Sequence, residues 1–367
     1  MVRNDGALLC LTYVPELQLK AWTRCDTQGT FESVCAIPEG NEHALYAVVN
    51  RFGGTRFIER FASRNLPLVP TKKYITSGLN AGKVKTYMAP DPTEFVFMDC
   101  SSYYDGRNTT ANVMNAISGD YTAQGAGFLM ECGIGYFDPT MVGKAIMLYS
   151  PLTGATYRCE IIAYTTNKKV TCRPDVDLPP ELQNVQTLNW ALGIKIVTGL
   201  GYLYPGGYVS ILADGAVLSS PSMETMLSIE YDYVTLDTWY AYVRVGLPYF
   251  SDMRALDIDT PQQGITAQDK PQLVERVAVF TEQTRGLWVG SRPPTDDDIN
   301  PLEGLVAYKA RTTESLGTPP EAKTGLFLAP VKPTWMYGGG AFIRQPDPLP
   351  MTVESIIPAG KFMLQGD

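Results

Sequence analysis

Histidine is almost missing from this chain: His43 is the one imidazole in 367 residues. Sites built on two or more histidines are excluded, and a Ser-His-Asp or Cys-His pair would have to use His43. No serine lies in a G-x-S-x-G frame, and His43 reads as a residue at the edge of a strand. Cysteine is scarce and unpatterned. Cys10, Cys25, Cys35, Cys100, Cys132, Cys159 and Cys172 are odd in number, with no C-x-x-C and no zinc-ligand spacing. They read as buried free thiols of a protein assembled in a reducing cytosol. No apolar run reaches the length of about 18 residues that a membrane-spanning helix needs. Met1–Gly6 does not read as a signal peptide. A phosphate-binding G-x-x-x-x-G-K-[ST] loop, heptads, a clean internal repeat and any amphipathic helix longer than two turns are also missing. The expectation is a protein without cofactor, metal or enzymatic activity.

Charge is thin and one-sided. Lys and Arg number 30 against 38 Asp and Glu, a net charge of −8. That balance argues against broad nucleic-acid or anionic-membrane binding. It suits a surface that DNA slides past without sticking. What the chain holds in quantity is tyrosine (21), glycine (33) and proline (27), a mix that fits a turn-rich β protein with many cross-strand aromatic contacts.

The stretch Ala7–Ala62 organises the rest. Ala7–Val14, Gln18–Cys25, Phe31–Ile37 and His43–Asn50 read as four short strands, followed by a shorter run, Arg56–Ala62. Their turns are Pro15-Glu16, Asp26–Gly29 and Pro38–Glu42, the pattern of an antiparallel meander. A four-stranded meander is also the unit of a β-propeller blade, which needs neighbours to cover its faces. The expected fold is mainly β: an incomplete propeller-like meander (1–62, completed by another chain), a connecting region (63–126), an inserted small β-barrel or sandwich (127–192), a β continuation of the main body (193–290) and a loop-rich β region at the end (291–367).

Other constellations have bland readings. Asp296-Asp297-Asp298 reads as a solvated acidic loop, because an EF-hand frame is lacking. Asp257-Ile258-Asp259 puts two carboxylates on one face with nothing to complete a site. Gly338-Gly339-Gly340 and Gly125-Ala126-Gly127 read as turns. The chain around Lys72, Lys73, Lys83 and Lys85 is the densest basic patch, and "KVKTY" at 83–87 interleaves it with an aromatic, a weak signal for single-strand binding.

Asp5–Arg51 resembles a segment of the tail nozzle, or packaged-DNA stabilisation, proteins of short-tailed bacteriophages. The resemblance rests on Leu11-Thr12-Tyr13, Ala21-Trp22, the hairpin Gln28-Gly29-Thr30-Phe31-Glu32-Ser33-Val34 and Val48-Val49-Asn50-Arg51. Gln28 stands where that family has Asp before the hairpin glycine. A second block, Ile211–Val217 followed by Val245-Gly246-Leu247-Pro248-Tyr249, keeps the same order, and the segment from Asp99 to Tyr104-Asp105-Gly106 is similar to the family's exit from its propeller.

The resemblance implies a structural subunit of the virion tail, assembled in the host cytoplasm. It implies a homo-oligomeric ring, six-fold, around the channel through which DNA leaves below the portal and adaptor. Implied partners are further copies of the chain, the portal or adaptor, tail fibre proteins and a separate chain supplying missing blades, with DNA passing without sequence-specific contact. The alternatives are a receptor-binding or fibre-anchoring virion protein, and a carbohydrate-active tail depolymerase. Expected assembly residues are Leu8, Leu9, Leu11 and Tyr13 on the edge strand, and Lys72, Lys73, Lys83 and Lys85 reaching a neighbouring chain or DNA. Removal of Met1–Val14 is expected to abolish assembly.

Overall fold

The computed structural model describes residues 1–63, 68–74, 84–91, 95–203, 206–259, 270–295, 300–308 and 322–362. It is mainly β, 55% strand and 3% helix, in several antiparallel sheets, none of them closed into a barrel. The prediction of a mainly β fold therefore holds. The layout within it follows from which strands find partners far away in sequence.

Residues 1–62 do not form one meander. Leu8–Val14 and Leu19–Cys25 pair as an isolated hairpin, while Thr30–Glu39, Glu42–Arg51 and Thr55–Arg60 make a separate three-stranded sheet. The turn between them is the reason. Instead of closing a hairpin, Asp26–Gly29 is pulled sideways: the Thr27 hydroxyl donates to Asp99 at 2.5 Å, and the Gln28 carbonyl accepts from Arg51 at 3.0 Å. Gly29, at φ 148°, lies so close to Asn50 that a Cβ would sit 2.4 Å from its carbonyl oxygen. Among the described residues the hairpin is held at its base, where Leu8 packs with Phe31, Ala47 and Val49.

The largest sheet has eight strands, in the order Gln186–Thr187, Met114–Gly119, Phe128–Cys132, Lys169–Pro174, Thr156–Thr166, Ala145–Tyr149, Trp190–Val197 and Val234–Tyr240. Alternation sets its inner face: Phe128, Met130 and Cys132 point inward, with Val170 and Cys172 opposite them. The sheet curls without closing. Trp190 sits five strands away from Met114–Gly119, yet its indole donates to the Asn112 carbonyl at 2.7 Å. Phe137, Leu178 and Leu182 from the connections join the same core. This sheet is wider than the 127–192 unit read from sequence. It recruits Met114–Gly119 from before it and Val234–Tyr240 from after it, and the strand Trp190–Val197 runs straight through the expected boundary.

A four-stranded sheet, in the order Ala216–Ser219, Ser210–Ala213, Tyr242–Leu247 and Asp99–Asp105, lies next in the main body. Its core gathers Val209, Ile211, Val243, Val245 and Leu247 with Leu200 and Ile229 from the preceding loops. Gly106 joins it to the large sheet, with a Cβ there placed 1.9 Å from the Leu192 oxygen. Further on, the thirteen-residue strand Gln272–Thr284 takes Lys323–Pro330 on one side and Thr352–Phe362 on the other, with Trp335–Met336 at its start. It packs Val274, Val277 and Val279 against Val289 and Ile343, which belong to a small sheet in the order Ser251–Arg254, Phe342–Gln345, Trp288–Gly290 and Val306–Ala307. The chain 291–367 thus contributes strands to both of these sheets.

Candidate assembly site

The three-stranded sheet and the main body meet on a buried arginine. Arg51 ends the strand Glu42–Arg51, and its side chain has no exposed surface. Its Nε and Nη2 donate to Glu59 at 2.6 and 2.8 Å, and its Nη1 and Nη2 donate to Asp99 at 3.0 and 2.7 Å. Two half-buried carboxylates therefore clamp one guanidinium, the fork geometry that suits arginine and not lysine. Burial works against the charge, but the hydrogen bonds that Arg51 donates to Glu59 and Asp99 outweigh it and hold the Arg51 pKa above its ordinary value. Beside it, burial and then the Glu59 charge push the Cys100 thiol up to about 12, so it stays a neutral thiol.

Part of each sequence block singled out above meets here, while Leu11-Thr12-Tyr13 and Ala21-Trp22 lie on the separate hairpin. Gln28, Gly29 and Arg51 come from the first block. Asp99–Asp105, Ser210–Ala213 and Tyr242–Leu247 pair into the single four-stranded sheet that Arg51 grips through Asp99. Asp214, in the turn of the second block, takes a left-handed backbone at φ 46°. Its carboxylate accepts from the backbone N–H groups of Tyr242 and Ala241 at 2.8 and 3.2 Å. Burial raises its pKa, partly offset by those two hydrogen bonds. These motif residues hold strands and turns in register.

Above the junction lies an open cleft of about 460 Å³, lined by Gln28, Phe52, Tyr208, Ile229, Leu247 and Pro248. Gln28 Nε2 donates to the Pro248 carbonyl at 3.2 Å, joining its two sides. The loop bordering it, after Tyr208 pairs with Ser228, carries exposed Glu230, Tyr231 and Asp232. From Ile196 to Val243 the chain has five acidic residues and no lysine or arginine.

The expected assembly residues divide. Leu8 is buried in the core at the hairpin base and Leu9 is half-buried. Leu8 is therefore not available to a partner, because alternation turns it toward Phe31. Leu11 and Tyr13 are 49% and 57% exposed, and Leu17, Leu19 and Trp22 join them in the open. The outer edge of Leu8–Val14 is partly covered by its own N-terminus: Val2 bridges Leu8, and Leu9 N–H donates to the Met1 carbonyl. Lys72, Lys73 and Lys85 lie on the paired strands Leu68–Tyr74 and Val84–Pro90, with Lys73 opposite Lys85, where the sequence suggests a loop. Lys83 lies outside the described residues, as do Asp296, Asp297 and Asp298.

His43 is exposed on its strand, opposite Pro38. Asp257 pairs with Arg254 at 3.2 Å and packs under the Gly338–Gly340 turn. Among the described residues no three His, Cys, Asp or Glu side chains cluster as a metal site. All seven cysteines are free, and the burial expected for them holds for Cys132, Cys159 and Cys172, while Cys35 is exposed. The junction of Arg51, Glu59 and Asp99 went unread in the sequence, since nothing near Asn50-Arg51 signals that an arginine there is fully buried. No family model matches the chain, and no curated protein matches it either.

Proposed function

We propose that this chain is a structural subunit of the tail of a short-tailed bacteriophage, assembling as a ring around the DNA exit channel below the portal and adaptor. Such a ring retains packaged DNA and opens to release it. The supporting observation is that Arg51 of the first resemblance-carrying block, which also donates to the Gln28 carbonyl, binds Asp99, at the start of the sheet that holds the second block. Arg51, Asp99 and Asp214 spend their polar groups on backbone and ion-pair contacts that fix sheet geometry, a use of residues suited to load-bearing architecture. Net charge fits the same reading, because an acidic channel wall does not hold passing DNA by its phosphates. The ring contacts other copies, the portal or adaptor and the tail fibres.

The test is the native mass and shape of the particle that carries the chain, purified from infected cells without a tag. A ring with a central channel, containing several copies of the chain, is the expected result. A trimer or a peripheral spike would replace this reading with that of a fibre anchor, and clearing of capsule by the purified chain would replace it with that of a depolymerase.

A further inference from the structure

A two-stranded hairpin alone in water is marginal, yet here one projects with both faces open. Beyond its base, every residue from Leu11 to Arg24 is exposed except the half-buried Val14. Directly opposed residues share a face in an antiparallel pair. Leu11 faces Trp22 and Tyr13 faces Lys20, so Leu9, Leu11, Tyr13, Lys20, Trp22 and Arg24 form one face. Trp22 is 62% exposed. The Lys20 ammonium lies 5.4 Å from the centre of the Tyr13 ring, and Arg24 pairs with Asp26 at 2.8 Å. The face is therefore aromatic, with Arg24 neutralised by Asp26 and Lys20 as its remaining cation. The cleft beside the Arg51 junction is its complement. It is apolar, with Phe52, Ile229 and Pro248 in its walls and Tyr208 63% exposed at its mouth. The wall residue Ile229 leads directly into exposed Glu230, Tyr231 and Asp232, in a stretch of chain without any base.

We propose that the hairpin of one copy seats its Leu11–Tyr13–Trp22 face in the cleft of a second copy, with Lys20 set against Glu230 and Asp232. The occupant is a second copy because charge and apolar character match between two surfaces of the same chain. Two different patches meet, so the contact is head-to-tail and closes into a ring when the rotation between copies allows. A buried tryptophan surrounded by a polar rim is the usual centre of such an interface. The inference rests on the ring reading above and names the contact that would build it.

Sedimentation of the full chain over a range of concentrations tests it, together with zero-length carbodiimide cross-linking of mixed light and isotope-labelled copies. Wild-type chain should associate, and cross-links should join Lys20 of one copy to Glu230 or Asp232 of the other. Trp22→Ala should raise the concentration of half-association by about thirtyfold or more without altering the circular dichroism spectrum. Lys20→Glu and Glu230→Lys should each weaken association, and the double variant should recover it. Association that survives both Trp22→Ala and Lys20→Glu, or cross-links that never involve Lys20 between copies, overturns the hairpin contact and leaves the ring reading standing. A wild-type chain that stays monomeric overturns both.

Discussion

Trp22 and Trp190 sit on strands of similar length, and the fold treats them in opposite ways. Trp190 is 3% exposed. Its indole donates to Asn112, its ring meets Tyr136 edge-on at 5.2 Å, and the curl of the large sheet brings Met114 and Phe128 into the same core. Trp22 stands in solvent on a two-stranded arm. The strand around it, Leu19–Cys25, alternates as regularly as Phe128–Cys132 does. Alternation decides which residues share a face, but only a covering layer decides whether that face is buried. The large sheet supplies its own cover by curling and by folding Leu178 and Leu182 over its mouth. Among the described residues the arm has no second layer.

Five measurements break or sharpen this contrast. The largest effect is in thiol labelling. Burial raises the pKa of both Cys159 and Cys172 in the large sheet, and both are without accessible surface, so they should react only through global opening. Exposed Cys35 should react at the rate of a free thiol. Mass spectrometry after a brief pulse of reagent should show a rate ratio on the order of 10³ or more, and equal rates would mean that the large sheet is no stable core.

Phe128→Ala, in that core, should lower the free energy of urea unfolding by about 3–5 kcal/mol. Arg51→Met should cost about 3 kcal/mol, since it leaves Glu59 and Asp99 half-buried without their cation. If Arg51→Met is neutral, the junction is not what holds the first sheet to the main body.

The fourth effect is smaller and concerns Asp214. Its folded pKa lies above the unfolded value, so across that window the native chain keeps a proton that the unfolded chain has lost. Its contribution to stability is greatest below the ordinary aspartate pKa and falls as pH rises through the folded one. Urea unfolding between pH 3 and pH 7 should show this downward component, and Asp214→Asn should remove it. The smallest effect is Trp22→Ala on the unfolding of the isolated copy, within about 0.5 kcal/mol. A loss as large as that of Phe128→Ala would place Trp22 in a core of its own chain.

Much of the strand content was legible. Alternation and the turns between them put strands at Phe128–Ile134, Ala145–Tyr149 and Lys169–Pro174, and the structure has them at Phe128–Cys132, Ala145–Tyr149 and Lys169–Pro174, because a half-buried strand imposes a period of two on its own residues. The extent of the sheets was not legible. Met114–Gly119 takes Gln186–Thr187 from far downstream as a second neighbour, and Val234–Tyr240 returns to Trp190–Val197 across the intervening chain 198–233, and these partners leave no mark in the local pattern. The same holds for the candidate assembly site. Of the residues expected at an assembly contact, Leu11 and Tyr13 are exposed, but Leu8, an odd number of positions before both and so in the opposite phase, is core.

The sequence by itself determined that this is a β protein with a single histidine, few charges and aromatic cross-strand pairs, since composition and period are local properties of the chain. Tertiary structure decided that Arg51 is buried between Glu59 and Asp99, that Asp99–Asp105, Ser210–Ala213 and Tyr242–Leu247 share one sheet, and that, among the described residues, an aromatic hairpin and an apolar cleft are both left open. Those outcomes depend on which distant strands pair and which faces then run out of cover, and hydrogen bonding between strands is indifferent to how far apart they lie along the chain.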